Sequence, residues 1–213
     1  MTSAIDLKNW GDYVAEVISQ DSHNTYERVR LLSKARELFQ KFKQFDEMSL
    51  NARKCLEGFE STMYECSGAS IDWKFFGSMQ GAGAYKHAII EKIKIGKAID
   101  IIPMSGSVSK IQFDTYCKAF EGWKNPLACA TRLLAIKRPD WFVCIDSKNK
   151  RELSLMMKVP QSRLTLQNYW EEVVMRVQRS VWYNDDSRKE DGIETEIWNY
   201  RVAMLDCLCY KED

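Results

Sequence analysis

The chain has 213 residues and a mass of 24.8 kDa, long enough to bury a core without disulfide or metal staples. Apolar residues make up 45% and charged residues 29%, which excludes a disordered, collagenous or low-complexity chain. The 31 lysines and arginines nearly cancel the 30 aspartates and glutamates, so no global field recruits nucleic acid or an anionic membrane, and any basic surface has to be a local patch.

Seven cysteines (Cys55, Cys66, Cys117, Cys129, Cys144, Cys207 and Cys209) form an odd set of irregular spacing. With no secretory or transit pattern before Trp10, a reducing cytoplasm is the expected setting. Cys207 and Cys209 lack a second pair at zinc-finger spacing, and His23 and His87 stand apart, so neither a metal nor any other cofactor is expected. No apolar run reaches the roughly 18 residues needed to span a bilayer.

Four prolines and ten glycines leave long stretches uninterrupted, and the apolar spacing within them is helical, which predicts a mainly α protein. Leu7 to Ile18 reads as a short helix. From Thr25 to Phe45 the positions Leu31, Ala35, Leu38, Phe42 and Phe45 recur at helical spacing between Arg30, Lys34, Arg36, Lys41 and Lys43, giving an amphipathic helix with a basic outer face. Ser49 to Met63 reads as a third helix, so residues 1–66 form an N-terminal helical layer suited to docking a partner. That outer face also fits an ordinary solvated surface.

Residues 67–213 read as a second helical domain. It begins with the loop Gly77-Ser-Met-Gln-Gly-Ala-Gly-Ala-Tyr-Lys86, whose glycines permit a close-packed turn or, at a helix start, a phosphate cradle. Helices follow at Ala84 to Ile95 and Ser109 to Gly122, with Ser107 or Ser109 as a cap. The break Gly122-Trp-Lys-Asn-Pro126 leads into a helix whose stripe is Leu127, Ala130, Thr131 and Leu134, with Pro126 suited to its first turn. Trp141 to Ile145 is a short β-favouring run. Asp146 or Ser147 caps a helix through Met157, and Leu166 to Arg179 and Ile193 to Cys209 complete the set.

Two constellations bear chemistry. Lys124, Arg132, Lys137, Arg138, Lys148, Lys150 and Arg151 stand against Asp140, Asp146 and Glu152, a local excess of cations around a helix turn that fits phosphate contact, or cations dispersed into internal pairs. Tyr169, Trp170, Trp182, Tyr183, Trp198 and Tyr200 lie near Arg176, Arg179, Arg188 and Arg201. That grouping fits a base-stacking wall, while the spacing of Tyr169, Val173 and Val177 and of Trp170 and Val174 fits a core stripe. Trp182 and Tyr183, beside Asn184 and two aspartates, are expected at a surface or groove.

The order Phe120-Glu-Gly-Trp-Lys-Asn-Pro-Leu-Ala-Cys-Ala-Thr-Arg-Leu-Leu-Ala135, then Lys137-Arg-Pro-Asp-Trp-Phe-Val-Cys-Ile-Asp146, resembles the helix-hairpin-helix segment of eight-oxoguanine-type DNA glycosylases. The resemblance covers about 30 residues and implies a helix-hairpin-helix-like unit. It places Asp146 on the family's catalytic aspartate, although an aspartate there is also an ordinary helix cap. Where the family carries a second glycine and, in bifunctional members, a nucleophilic lysine, this chain has Asn125, Pro126 and Leu127, with Lys124 one step away. A broader stretch, carried by Phe76 to Lys86, Arg138 to Asn149, Tyr169-Trp170 and Val181 to Asn184, is similar to small bacterial proteins of restriction and phage-defence neighbourhoods. It implies an accessory subunit working with an ATPase or nuclease.

Three functions are therefore expected in competition. In the first, a DNA-contacting accessory subunit holds phosphates through Gly122, Lys124, Asn125, Lys148, Lys150 and Arg151. In the second, a glycosylase acts through Asp146. In the third, a protein-binding adaptor uses the Thr25 to Phe45 helix.

Overall fold

In a computed structural model, the described residues are 5, 8–20, 25–58, 71–73, 93–185, 187 and 192–209, and all regular structure among them is helical. Eleven α-helices are present in this set. They are α1 (Trp10–Ile18), α2 (Thr25–Lys41), α3 (Leu50–Leu56), α4 (Ile93–Asp100), α5 (Lys110–Cys117), α6 (Leu127–Lys137), α7 (Lys150–Met157), α8 (Met175–Arg179), α9 (Val181–Asn184), α10 (Gly192–Asn199) and α11 (Leu205–Cys209). None of them is long and apolar enough to cross a membrane. The glycine-rich loop Gly77 to Lys86, Arg188 and the 66/67 boundary lie outside the described residues.

Local chemistry explains several helix starts. Asn9 accepts from the Asp12 N–H to begin α1, later than Leu7, and Ser49 accepts from the Ala52 N–H to begin α3. Ser109 and Gln112 form a reciprocal capping box at α5, which runs into a 3₁₀ turn, Lys118–Phe120. The helix expected through Phe45 stops at Lys41, and Phe45–Glu47 forms a separate 3₁₀ turn. That turn lies against α4 at Gly96, where any Cβ would overlap the Asp46 carboxylate.

The fold is built around α6. Every residue from Cys129 to Lys137 is buried, the pattern of a helix enclosed on all sides rather than along one stripe. Leu133, Leu134 and Ile136 are fully shielded, each contributing about 1.5–3 kcal/mol by leaving water. Helix α2 packs across α6 and also meets α10, α4 packs against α5, and α7 packs against α11. Helix α1 lies against α9 and α11, with Tyr13 stacked on Trp182 at 4.4 Å and an interplanar angle of 11°. Residues from both sides of position 66 thus share one hydrophobic core.

Further expected elements differ: the helix expected over Ser49 to Met63 ends at Leu56, with Glu57 at its C-cap. Leu166 to Arg179 contains a π turn, Trp170–Val174, before α8. Ile193 to Cys209 is two helices rather than one, because the Val202 and Ala203 N–H groups leave the helical ladder and both donate to the Pro139 carbonyl, at 3.0 and 2.8 Å.

Candidate nucleic-acid interface

Helices α5 and α6 are joined by a turn at residues 121–126, and Gly122 gives it its shape. Its φ is +82°, a conformation costly for any residue with a Cβ, and it is exposed. Trp123 anchors the turn: its N–H donates to the Phe120 carbonyl at 3.1 Å, and its ring meets that of Phe120 edge-on at 5.2 Å. Lys124 and Asn125 are exposed beyond this anchor. Pro126 occupies the N-cap of α6, and no side chain caps the helix there. The first amides of α6 thus stand beside an exposed, glycine-shaped turn.

The chain returns to this end of α6 through Trp141 to Ile145. Its residues from Phe142 to Ile145 are buried, and it pairs with no strand among the described residues. The Trp141 and Phe142 N–H groups both donate to the Arg138 carbonyl at 3.0 Å, and side chains answer groups further along. The Tyr169 hydroxyl accepts from the Val143 N–H at 2.9 Å and donates to the Val143 carbonyl at 2.7 Å. The Thr131 hydroxyl accepts from the Ile145 N–H at 2.9 Å while donating to the Leu127 carbonyl at 2.7 Å. Thr131 is four residues into α6, about 6 Å along its axis from Leu127 at 1.5 Å per residue, so Asp146 emerges at the same end of α6 as the turn.

Asp146 then starts the approach to α7. Its Oδ1 accepts from the N–H groups of Lys148 at 2.8 Å and Asn149 at 3.2 Å. Beneath it, buried Asn149 uses its whole amide: Oδ1 accepts from the Asp146 N–H at 3.0 Å, and Nδ2 donates to the Cys144 carbonyl at 2.7 Å and to Asp206 Oδ1 at 2.5 Å. Asp206 is in turn paired with Arg28 of α2, both side chains almost completely buried. This chain of contacts pins the Asp146 loop to α2 and α11. Burial raises the Asp146 carboxyl above its usual range and the Asp206 charge adds to this, while the Lys148 and Asn149 amides and Arg28 pull it back.

Lys148 and Arg151 are exposed and Lys150 is half-buried, so all three border the start of α7. Lys150 and Arg151 lie in its first turn, where the helix dipole is positive and Glu152 is the acidic residue. Three other expected members of the basic patch are interior. Arg132 donates to the carbonyls of Leu56 at 2.7 Å and Trp73 at 2.9 Å. Lys137 donates to Ile99 O at 2.8 Å. Arg138 forks onto Asp140 and also reaches the carbonyls of Pro103 and Gly106. These cations support buried backbone turns instead of a surface field.

The aromatic cluster is mostly core. Tyr169, Trp170, Trp182 and Tyr200 are buried, which corrects the surface position expected for Trp182. Tyr183 and Trp198 are half-buried and hold the Arg201 guanidinium between them, at 4.4 and 4.3 Å from their ring centroids. Cys207 and Cys209 are buried too, and burial pushes the Cys207 thiol up to about 12. Sequence reasoning missed Arg28, Asn149 and Asp206. The available signal was Arg28 itself, which shares the helical spacing of Leu31, Leu32 and Ala35 and so carries a charge on the apolar face. Comparison with protein-family models, with curated proteins and with solved structures finds no match to this chain.

Proposed function

We propose that the protein contacts the phosphate backbone of DNA as an accessory subunit, through Gly122, Lys124, Asn125, Lys148, Lys150 and Arg151. The observation that carries this reading is the placement of Lys148, Lys150 and Arg151 about the start of α7. The positive end of a helix favours an anion, and a phosphate bound there meets both these side chains and the helix amides. The Thr131 to Ile145 hydrogen bond supports the reading further, since it sets this start at the same end of α6 as the exposed turn. Service beside an ATPase or nuclease in phage defence follows from the sequence resemblance. Titration of labelled duplex and single-stranded DNA tests the proposal: Lys148→Glu, Lys150→Glu and Arg151→Glu together reduce affinity at least about tenfold, and an unchanged affinity refutes the assigned patch.

A glycosylase is the second reading, favoured by the resemblance that sets Asp146 on that family's catalytic aspartate and by the hydrogen bond of Thr131 in α6 to the Ile145 N–H next to Asp146. In that case Asp146 stabilises charge developing on the sugar or activates water while a modified base is released. Asp146→Asn keeps an oxygen for the two backbone N–H groups, so the variant folds and binds DNA. Loss of base release with retained binding supports catalysis, and the absence of base release from the native protein on modified DNA removes this reading.

A further inference from the structure

Helix α6 ends in a second feature, at the opposite pole from the turn. Ten residue steps separate Leu127 from Lys137, about 15 Å along the axis. There a cavity of about 400 Å³ opens between the end of α2, the end of α4 and Lys137. Phe39, Phe42 and Ile102 supply apolar wall, while Lys43, Asp100 and Lys137 supply charge. The volume falls within the range of small-molecule sites, which are mostly apolar with a few placed polar groups.

Lys137 is the unusual member. It is buried, its Nζ donates one N–H to the Ile99 carbonyl at 2.8 Å, and it stands 5.3 Å from the Phe39 ring centroid. An ammonium has three donors, so two remain without a hydrogen-bond acceptor among the described residues, and no carboxylate there forms an ion pair with it. Asp100 is turned to the Phe45 N–H, which both its oxygens accept, at 3.0 and 3.1 Å, and it acts on Lys137 by charge without a hydrogen bond. The cavity therefore presents two cations against one carboxylate, with unspent donors on a buried group.

The walls are held in place. Arg138 donates to the carbonyls of Pro103 at 2.9 Å and Gly106 at 2.7 Å, fixing the turn that follows α4, and Asp100 ties α4 to Phe45. A cavity braced in this way keeps its shape when empty, which lowers the ordering cost of binding.

We propose that this cavity binds a small monoanion with an apolar body, an aryl-alkyl carboxylate, whose carboxylate takes the two unspent donors of Lys137 while its body lies between Phe39, Phe42 and Ile102. Lys43, exposed at the rim, adds attraction to the same charge. Burial draws the Lys137 ammonium down to about 8, with Arg138 acting in the same direction and Asp100 opposing it. A charged partner relieves this desolvation. The site uses none of the residues assigned to DNA, so its test stands apart from that reading.

The full chain is titrated calorimetrically with 4-phenylbutyrate and with 4-phenylbutyramide, its uncharged counterpart. The carboxylate saturates one site with a Kd on the order of 1 mM or tighter, and the amide binds at least about tenfold more weakly. Lys137→Met, which keeps the apolar stem, abolishes the preference for the carboxylate. Lys43→Glu, an exposed change that leaves the core intact, weakens the carboxylate severalfold and keeps the proposal testable if the Lys137 variant does not fold. No saturable binding of either compound, equal binding of both, or an unchanged preference in Lys43→Glu overturns the assignment.

Discussion

Glu57 is completely buried, and neither of its carboxyl oxygens has a hydrogen-bond partner among the described residues. Burial pushes its carboxyl from the usual 4.5 to about 8, with Arg132 pulling the other way. At neutral pH the folded protein therefore keeps a proton that the unfolded chain releases. Stability from this group is full below about 4.5 and falls through the window up to about 8, at up to about 1.4 kcal/mol per pH unit. Asp146 and Asp100, both raised by burial, add slope of the same sign at the acidic end, so the difference between native protein and variant isolates Glu57. Glu57→Gln is neutral at every pH, and its urea midpoint changes less between pH 5 and 8 than that of the native chain. Equal slopes in the two proteins would contradict the buried, protonated state.

At the scale of elements, the turn between α5 and α6 depends on Gly122. Nothing lies within 4 Å of the place a Cβ would occupy, so the cost of a side chain there is the dihedral alone. Gly122→Ala lowers the free energy of unfolding by about 1 kcal/mol, read from denaturant midpoints, and a neutral or stabilising result would mean that the turn does not hold this φ. This turn was legible in the sequence because Gly and Pro mark it locally, as was the capping of α5 by Ser109; the cap expected from Asp146 or Ser147 is not formed, since α7 has Asn149 at its N-cap and Asp146 instead holds the turn before it. Less legible were features set by distant groups. The break between α10 and α11 arises from two amides reaching Pro139, sixty-odd residues away in sequence. Trp141 to Ile145 is a β-favouring run, but its backbone is answered by the Arg138 carbonyl and by the Tyr169 and Thr131 side chains. Charge counting along the chain likewise left Arg132, Lys137 and Arg138 open between a phosphate-contacting patch and internal pairs, since nothing local reveals that buried carbonyls of residues 56, 73, 99, 103 and 106 take their donors. The candidate site was therefore half visible: its exposed cations could be read directly, while the Arg28, Asp206 and Asn149 chain that fixes the Asp146 loop could not.

For the molecule as a whole, a formal charge of +1 means that attraction to DNA has to come from a patch rather than from net charge. The two proposed sites lie along α6, the DNA-contact patch about the exposed turn and the α7 start, and the ligand site in the cavity of about 400 Å³ at the Lys137 end. The proposed DNA contact predicts electrostatic, sequence-tolerant binding that weakens with salt in proportion to the phosphates neutralised. The dependence of DNA affinity on salt concentration is the most direct measurement. The native chain gives a linear fall of log K with log salt, and Lys148→Ala, Lys150→Ala and Arg151→Ala each flatten the slope by about one with no preference among sequences. A slope that is flat in the native protein, or unaltered in all three variants, would show that this end of the molecule does not hold a phosphate backbone.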